Sequence, residues 1–303
     1  MEANFARSEQ PHNTTREVLD VAHVAITGAS GRAGRATVAA LAEAGHEVVA
    51  IDLVRPSADA GFHVVTADVR DFGQTIDALS GCDIVVHHAN IPMPGLRPDV
   101  VTLTDNTAMN TNVFMAAAKL GMRKVVWASS ETTLGLPFDT PPTYLPIDEE
   151  HYPRPTSTYA LSKVLGETTA RHIADWSGIP FVALRFSNIL GPAEYPLFPT
   201  FWEDPNLRKV NLWGYIDERD VGTVCRLAVE ADCDGARSYV IAAADTVMNV
   251  PSRELAATCF PGVPVRGDLA GFDSLLSTAA ARADLGYVAA HTWRDHVDDA
   301  KRP

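Results

Sequence analysis

A chain of 303 residues is long enough to bury one large core or two lobes that share one. Its 46% hydrophobic content is that of a globular protein, and no apolar run reaches the length of a membrane span, so no membrane partner is expected. A formal charge of −13 with no basic block argues against a nucleic-acid partner. Cys82, Cys225, Cys233 and Cys259 form no C-x-x-C pair and no zinc-like spacing, which fits reduced residues of a cytoplasmic protein. Residues 1–20 are polar with no apolar signal core and read as a loose extension.

The first regular stretch is an apolar run, Val24-Ala25-Ile26-Thr27, that ends in the glycines Gly28, Gly31 and Gly34. An alanine-rich segment with helical spacing follows as far as Ala44, and Gly45 stops it. That order reads as a buried strand, a tight turn and a helix opening. Gly28 and Gly31 let the backbone turn sharply and approach a ligand, and Gly34 lets the helix press on the sheet. The helix start offers unpaired N–H groups to a pyrophosphate beside Gly28, Ser30, Gly31, Arg32, Ala33 and Gly34. Glu47–Ile51 is the next strand, with Asp52 at its end. A carboxylate there accepts hydrogen bonds from ribose hydroxyls and repels a 2′-phosphate, so the cofactor expected is NAD rather than NADP. Arg32, Arg35 and Arg55 are nearby cations that would blunt that preference.

Phe62–Thr66 is a short apolar run ending near Asp68-Val69, and Asp71 is placed to cap a helix to Leu79. Strands at Asp83–His87, Lys124–Ala128 and Pro180–Arg185 alternate with helices over Val100–Leu120 and Ser157–Ser177. The strands are continuous apolar runs, the pattern of strands covered on both faces of a parallel sheet. The fold class is therefore α/β, a doubly wound parallel sheet, with the dinucleotide-binding core over 21–185. Beyond residue 186 proline-punctuated loops are interrupted by a helix at Asp220–Ala231, a strand at Ser238–Ala242 and a helix from Ser252. Residues 186–303 read mostly as a small substrate-covering lobe, with some segments returning to the core.

The chemistry centres on Tyr159 and Lys163, whose four-residue spacing places them one turn apart on the same helix face. A free phenol, with a pKa near 10, is a poor base at neutral pH. A neighbouring ammonium favours the phenolate, and so does an oxidised nicotinamide; the tyrosine could then take a proton from an alcohol as hydride leaves the same carbon. The bland alternative is a half-buried tyrosine beside an exposed lysine.

Taken together, TGASGRAGR, Asp52, Asp68-Val69, His87-His88-Ala89-Asn90, Ala128-Ser129-Ser130 and Tyr159/Lys163 follow one another in the order and spacing of a known family. The chain resembles the extended short-chain dehydrogenase/reductase family, in the branch of NAD-dependent epimerases and dehydratases. The resemblance extends through Arg185-Phe186-Ser187-Asn188-Ile189-Leu190-Gly191-Pro192 to Tyr215-Ile216-Asp217 and Asp220-Val221. It implies that Thr27 to Gly34 cradle the pyrophosphate, Asp52 holds the adenosine ribose and Asp68 and Val69 flank the adenine. His88, Ala89 and Asn90 are placed along the cofactor. Lys163 serves both the phenol and the nicotinamide ribose. Ser130 matches the hydroxyl that helps hold the reacting oxygen, with Ser129 beside it, and Asn106 matches the asparagine that organises water behind the lysine. Asn188 matches a position that meets substrate, and a homodimer through the helices near 100–120 and 155–177 is implied.

Three departures bear on substrate. The acidic pair of the dehydratases reads Glu131-Thr132 here, which removes one carboxylate from an elimination. Leu134 stands where an aromatic residue is usual. The stretch from Pro192 to Asp217 is short, and only Arg208 and Lys209 supply positive charge there, with Arg266 further on. These point to a small, free sugar-like substrate, with Ser129, Ser130, Glu131, Asn188 and Arg208 as its contacts. The expected activity is NAD-dependent hydride transfer at a secondary alcohol or hemiacetal carbon of a sugar, sugar acid or small polyol. A nucleotide-sugar epimerase using the same residues and a non-catalytic dinucleotide sensor are the alternatives. No metal is expected, because the adjacent His87 and His88 face opposite ways on a strand. Trp202 and Trp213 could stack on a sugar or fill the lobe's core, and Tyr144 and Arg154 could line a pocket mouth. Asp217 and Asp220 read as fixing the turn into their helix.

Overall fold

The computed structural model describes residues 21–55 and 62–297; the extension read over 1–20 lies outside the described residues. Seven strands form one parallel sheet: β1 (His23–Thr27), β2 (Glu47–Asp52), β3 (Val64–Thr66), β4 (Ile84–His87), β5 (Lys124–Ser130), β6 (Phe181–Phe186) and, entering later, β9 (Ala236–Ile241). Their order is β3-β2-β1-β4-β5-β6-β9. The chain moves outward from β1 in one direction and restarts at β4 in the other, so β1 and β4 flank a switch point. Crossover loops diverge there and leave a crevice at the carboxyl ends of the strands.

Alternation along each strand sorts side chains between two faces. Val24 and Ile26 of β1, Val86 of β4 and Val126 of β5 join one buried cluster with Val221, Val224 and Ala228. Those three lie on α6 (Glu218–Glu230), which packs against α1 (Arg32–Glu43). Ala25, Val85 and Val125 face the other way, toward α2 (Phe72–Leu79), α3 (Asp99–Leu120) and α4 (Thr158–Ser177). At the centre of that face Phe114 of α3 meets Trp127 and Phe181 edge-on, with centroids 5.3 and 5.1 Å away. Burying a phenyl ring contributes about 1.5–3 kcal/mol, and each edge-on pair adds about 0.5–1.5 kcal/mol.

The helix starts follow from local chemistry. Asp71 accepts from Gln74 N at 2.8 Å and begins α2, and Ser157 accepts from Ala160 N at 3.1 Å and begins α4. Asp217 caps α6 through Arg219 N at 2.8 Å. Asp220, one turn on, instead reaches out of its helix to hold Ala290 N and His291.

After β6 a two-stranded parallel sheet of β7 (Ile189–Leu190) and β8 (Ile216–Asp217) brackets a short helix, α5 (Asn206–Lys209). A second apolar cluster gathers Phe198, Trp213, Tyr215 and Trp293 with Leu255 of α7 (Ser252–Cys259). Trp213 is fully buried there, and its Nε1 donates to Pro205 O at 2.7 Å. Trp202 donates to Val247 O at 3.0 Å and packs on Trp293. The sugar-stacking alternative for both is thereby corrected: they form this lobe's core. Helix α8 (Ala279–Leu285) returns to the sheet beside β9. Among the described residues no helix is long and apolar enough to cross a membrane, and the four cysteines are free.

Candidate active site

A cleft of about 1220 Å³ opens over the carboxyl ends of β1, β2, β4 and β5. Its dinucleotide end is built from backbone. Gly28 has φ +70°, and a Cβ there would lie 2.6 Å from Ala89 N, so only glycine lets the turn after β1 and the end of β4 approach this closely. A Cβ at Gly34 would run into Gly28 O and sit 2.6 Å from Ala29 Cα, which locks the first turn of α1 onto the loop. Gly31 precedes α1 with no side chain capping the helix, so its first N–H groups stay available.

Asp52 stands at the end of β2 as expected. Its carboxylate accepts from Ser30 N at 2.9 Å and Val54 N at 3.1 Å, which fixes its position and leaves acceptor sites open. The nearby cations are occupied elsewhere. Arg32 makes a two-pronged pair with Glu194 at 2.6 and 3.0 Å, Arg35 donates to Ser30 O, and Arg55 donates to Thr66. Arg32 and Ala33 line the cleft, with Arg32's charge committed to the lobe. Asp68 and Val69 line it too, the Asp68 carboxylate held below its usual range by hydrogen bonds from Arg70.

His88, Ala89 and Asn90 follow β4 along the middle of the cleft. His87 Nδ1 lies 2.6 Å from Thr27 Oγ1 and its Nε2 3.2 Å from Asn110 Oδ1, while His88 Nε2 faces Thr37 Oγ1 on the opposite side of the sheet at 3.0 Å. Burial, helped by the charge of Lys163, pushes both imidazoles down to about 3, so both are neutral. Among the described residues no group of three or more potential ligands could hold a metal. Asn90 Oδ1 is buried without a partner, and together with the open N–H groups of α1 and the Asp52 carboxylate it fits a dinucleotide.

Tyr159 and Lys163 lie one turn apart on α4, both buried, with Lys163 Nζ 5.5 Å from the phenol ring centroid. The lysine donates to Ala128 O at 2.8 Å and sits over Trp127. Burial overrides the expected lowering of the phenol's pKa. It pushes Tyr159 up to about 12, a hydrogen bond from Ser130 opposes this, and the charge of Glu131 adds to it. Burial also pushes Lys163 down to about 7, with Glu167 opposing, so the ammonium is a weaker field source than its spacing suggests. Four-residue spacing shows which face two side chains share, not how much water reaches them.

Ser130 ends β5 and accepts from Thr132 N and Thr132 Oγ1, capping a short turn at Glu131–Leu134. It therefore acts as the turn's cap and also faces Tyr159 across the cleft. Ser129 differs. Its hydroxyl donates to Glu167 Oε1 at 2.6 Å, and Glu167 in turn holds Arg185 at 2.8 and 2.9 Å. Ser129 lines the cleft, with its hydroxyl held by this buried ion pair. Asn106 accepts from Ile91 N at 2.7 Å and donates to Ile91 O and Ser162 Oγ. Through these bonds the amide pins the loop after β4.

The substrate end is more polar than the sequence suggested. Glu131 accepts from Ser187 Oγ at 2.6 Å, and Asn188, with its amide oxygen turned to the guanidinium, accepts from both Arg208 Nη atoms at 3.2 Å. Arg208 and Asn211 both donate to Gly214 O. Leu212 and Trp213 hold φ of +55° and +57°, unusual for such residues, and their complete burial maintains the turn that carries Asn211. Sequence reasoning passed over Ser187, Asn211 and the exposed Arg97 on the loop after β4, which all line the cleft. Ser187 follows the last residue of β6, where strand alternation stops telling which way a side chain points. Lys209 lies over Phe260 and Arg266 over Tyr144, so neither expected cation enters the cleft, and Tyr144 and Arg154 do not line it.

The model of the NAD dependent epimerase/dehydratase family matches residues 24–242. The chain belongs to this family. Its relatives include an NAD-dependent glucose-6-phosphate dehydrogenase of Haloferax volcanii, 31% identical over 56% of this chain and 64% of that protein. An L-arabinose 1-dehydrogenase (NAD(P)(+)) of the same organism is 35% identical over 56% of this chain and 68% of its own length. A uronate dehydrogenase of Pseudomonas putida is 28% identical over 57% of this chain and 59% of its own. The chain thus spans about two thirds or less of the curated relatives it matches. Among solved structures, a short-chain dehydrogenase/reductase superfamily protein from Agrobacterium tumefaciens with bound NAD superposes at a TM-score of 0.70. That match is 24% identical and covers 92% of this chain and 96% of the other. The Rossmann-like fold of this NAD-dependent family is what the seven-stranded sheet displays.

Proposed function

We propose that the protein is an NAD-dependent oxidoreductase acting at a secondary alcohol or hemiacetal carbon of a sugar, sugar acid or similar small polyol. The observation that carries this reading is the convergence of Tyr159, Ser130 and Lys163 beside a pocket whose inner cation is Arg208. Gly28, Ser30, Gly31 and Gly34 would hold the pyrophosphate, Asp52 the adenosine ribose, Asp68 and Val69 the adenine, and Lys163 the nicotinamide ribose. When bound, the nicotinamide supplies a hydride acceptor or donor. The Asp52 carboxylate favours NAD over NADP; Arg32 is paired with Glu194, whereas Arg35 and Arg55 donate to a carbonyl and a hydroxyl, keep their charge and blunt the preference.

Burial keeps the Tyr159 phenol protonated, the state that delivers a proton to a carbonyl oxygen. In the oxidising direction Ser130 favours the phenolate by donating to it; in the reducing direction, with the phenol protonated, that one proton can go instead to the substrate oxygen as charge grows there. Glucose-6-phosphate, arabinose and uronate dehydrogenases among the relatives support a free sugar or sugar derivative. NADH formation with a panel of free sugars, uronates and sugar phosphates tests the reading; no cofactor turnover with any of them contradicts it.

A nucleotide-sugar epimerase is the second reading, favoured by a UDP-glucose 4-epimerase of Lacticaseibacillus casei at 30% identity. An epimerase would purify with dinucleotide held, show no net NADH and melt later with UDP. A dinucleotide sensor would keep cofactor binding and lose nothing on Tyr159→Phe. The proposed assembly is a homodimer through α3 and α4, which expose Val100, Leu165 and Trp176; sedimentation velocity tests it.

A further inference from the structure

Just after β4 the chain carries two buried acceptors that no group among the described residues satisfies. The first is on His88. The Thr37 hydroxyl has one proton and donates it to Ala33 O at 2.8 Å. Its oxygen, 3.0 Å from His88 Nε2, must therefore accept, which places the imidazole proton on Nε2. Cys225 Sγ, a weak acceptor 3.7 Å from the same nitrogen, fits that tautomer. Nδ1 is left as a bare lone pair, buried and without a partner, on a residue that lines the cleft.

The second is on Asn90. Its Nδ2 donates to His88 O at 2.7 Å, which fixes the amide and makes Oδ1 the free end. Oδ1 is likewise buried without a partner, and Asn90 lines the cleft two residues on from His88. A buried acceptor without a donor is costly, so a ligand that brings one binds more tightly.

The sheet order tells which part of a dinucleotide reaches these atoms. Across the cleft the strands run β2-β1-β4-β5, so β4 lies beyond β1 from Asp52 and beside the strand whose Ala128 O holds Lys163. With the adenosine ribose at Asp52 and the pyrophosphate at the start of α1, the end of β4 falls to the nicotinamide half. A pyrophosphate has no proton to give at neutral pH, and two lone pairs would repel it. The nicotinamide ribose has two hydroxyls. A lysine ammonium only donates, so a ribose oxygen that accepts from Lys163 keeps its own proton to give away.

We propose that His88 and Asn90 hold the nicotinamide ribose by its hydroxyl protons, as the accepting partners of the donor Lys163. This rests on the cofactor placement proposed above and not on the sugar reading.

Titration calorimetry of the full chain with NAD, ADP-ribose and ADP, with no sugar present, tests it in wild type, His88→Leu and Asn90→Ala. ADP-ribose keeps the second ribose and lacks the nicotinamide, whereas ADP lacks both. Each variant is expected to bind NAD and ADP-ribose about three- to tenfold more weakly, with ADP within about twofold of wild type. A merely structural role would weaken all three ligands together. If His88→Leu melts well below wild type, the change at half-buried Asn90 decides the matter. A loss confined to NAD would point to the carboxamide and overturn the proposal. So would an equal loss for ADP, or no loss for any ligand. Failure of the sugar reading shows separately, as no NADH from a chain that still binds ADP-ribose.

Discussion

Tyr159 works against its surroundings. A phenol raised to about 12 by burial stays protonated at neutral pH yet is a weaker acid than a free tyrosine, so this side chain's contribution depends on the few groups that touch it, Ser130 above all. Tyr159→Phe removes only the hydroxyl and is expected to lower kcat by about 10²–10⁴-fold while the melting temperature stays near that of wild type; steady-state kinetics beside a melting curve checks both. Glu131 has a stability signature. Burial lifts its carboxyl from 4.5 to about 7, so between those values the folded chain binds more protons than the unfolded one. The group's contribution to stability therefore falls as pH rises through that window. Glu131→Gln is expected to gain on wild type from about pH 5 to about pH 8, as read from urea midpoints at the two ends. Tyr159, Lys163 and Ser130 were legible because fixed spacing on a helix or at a strand end carries information. Their pKa directions were not, since spacing is silent about burial. Ser187 and Asn211 escaped notice because each lies outside regular structure, where no periodicity assigns a direction.

At the scale of elements, the turn between β1 and α1 is held by a near-contact of backbones. Gly34→Ala would force the first turn of α1 away from Gly28 and Ala29, at a cost of about 1–3 kcal/mol and with weakened NAD binding, both measurable by thermal shift with and without cofactor. Phe114→Ala opens a cavity between Trp127 and Phe181 and is expected to cost about 3–5 kcal/mol by denaturant unfolding, with the cleft's own residues unchanged. The strands announced themselves as unbroken apolar runs, because a parallel strand covered on both faces has no polar side to show. The strand read over Lys124–Ala128 continues through Ser129 and Ser130, which pair with Arg185 and Phe186 of β6. Polar side chains at a strand's end look like loop in sequence, yet the ladder bonds come from the backbone and ignore side-chain polarity. The two-residue strands β7 and β8 are too short to leave any pattern.

The whole molecule is a sheet whose late segments come back to it. Asp220, fully buried, ties α6 to the C-terminal stretch through Ala290 N, His291 N and His291 Nδ1. Asp220→Ala orphans those donors and is expected to cost about 3 kcal/mol, seen as a lower urea midpoint with loosened protease resistance after residue 286. Arg32 bridges the other way, from the dinucleotide loop to Glu194 in the lobe, so the halves of the cleft are tied by an ion pair at its rim. Such long-range ties could not be read from local patterns, whereas the alternation of strands and helices was enough to show the doubly wound sheet. In the proposed reaction a phenol on α4 exchanges a proton with a sugar hydroxyl as NAD is reduced. The most direct test is NADH formation by the purified chain on free sugars, uronates and sugar phosphates, wild type against Tyr159→Phe. Steady NADH from wild type and a loss of about a hundredfold or more in the variant are expected. Equal rates in the two would contradict it.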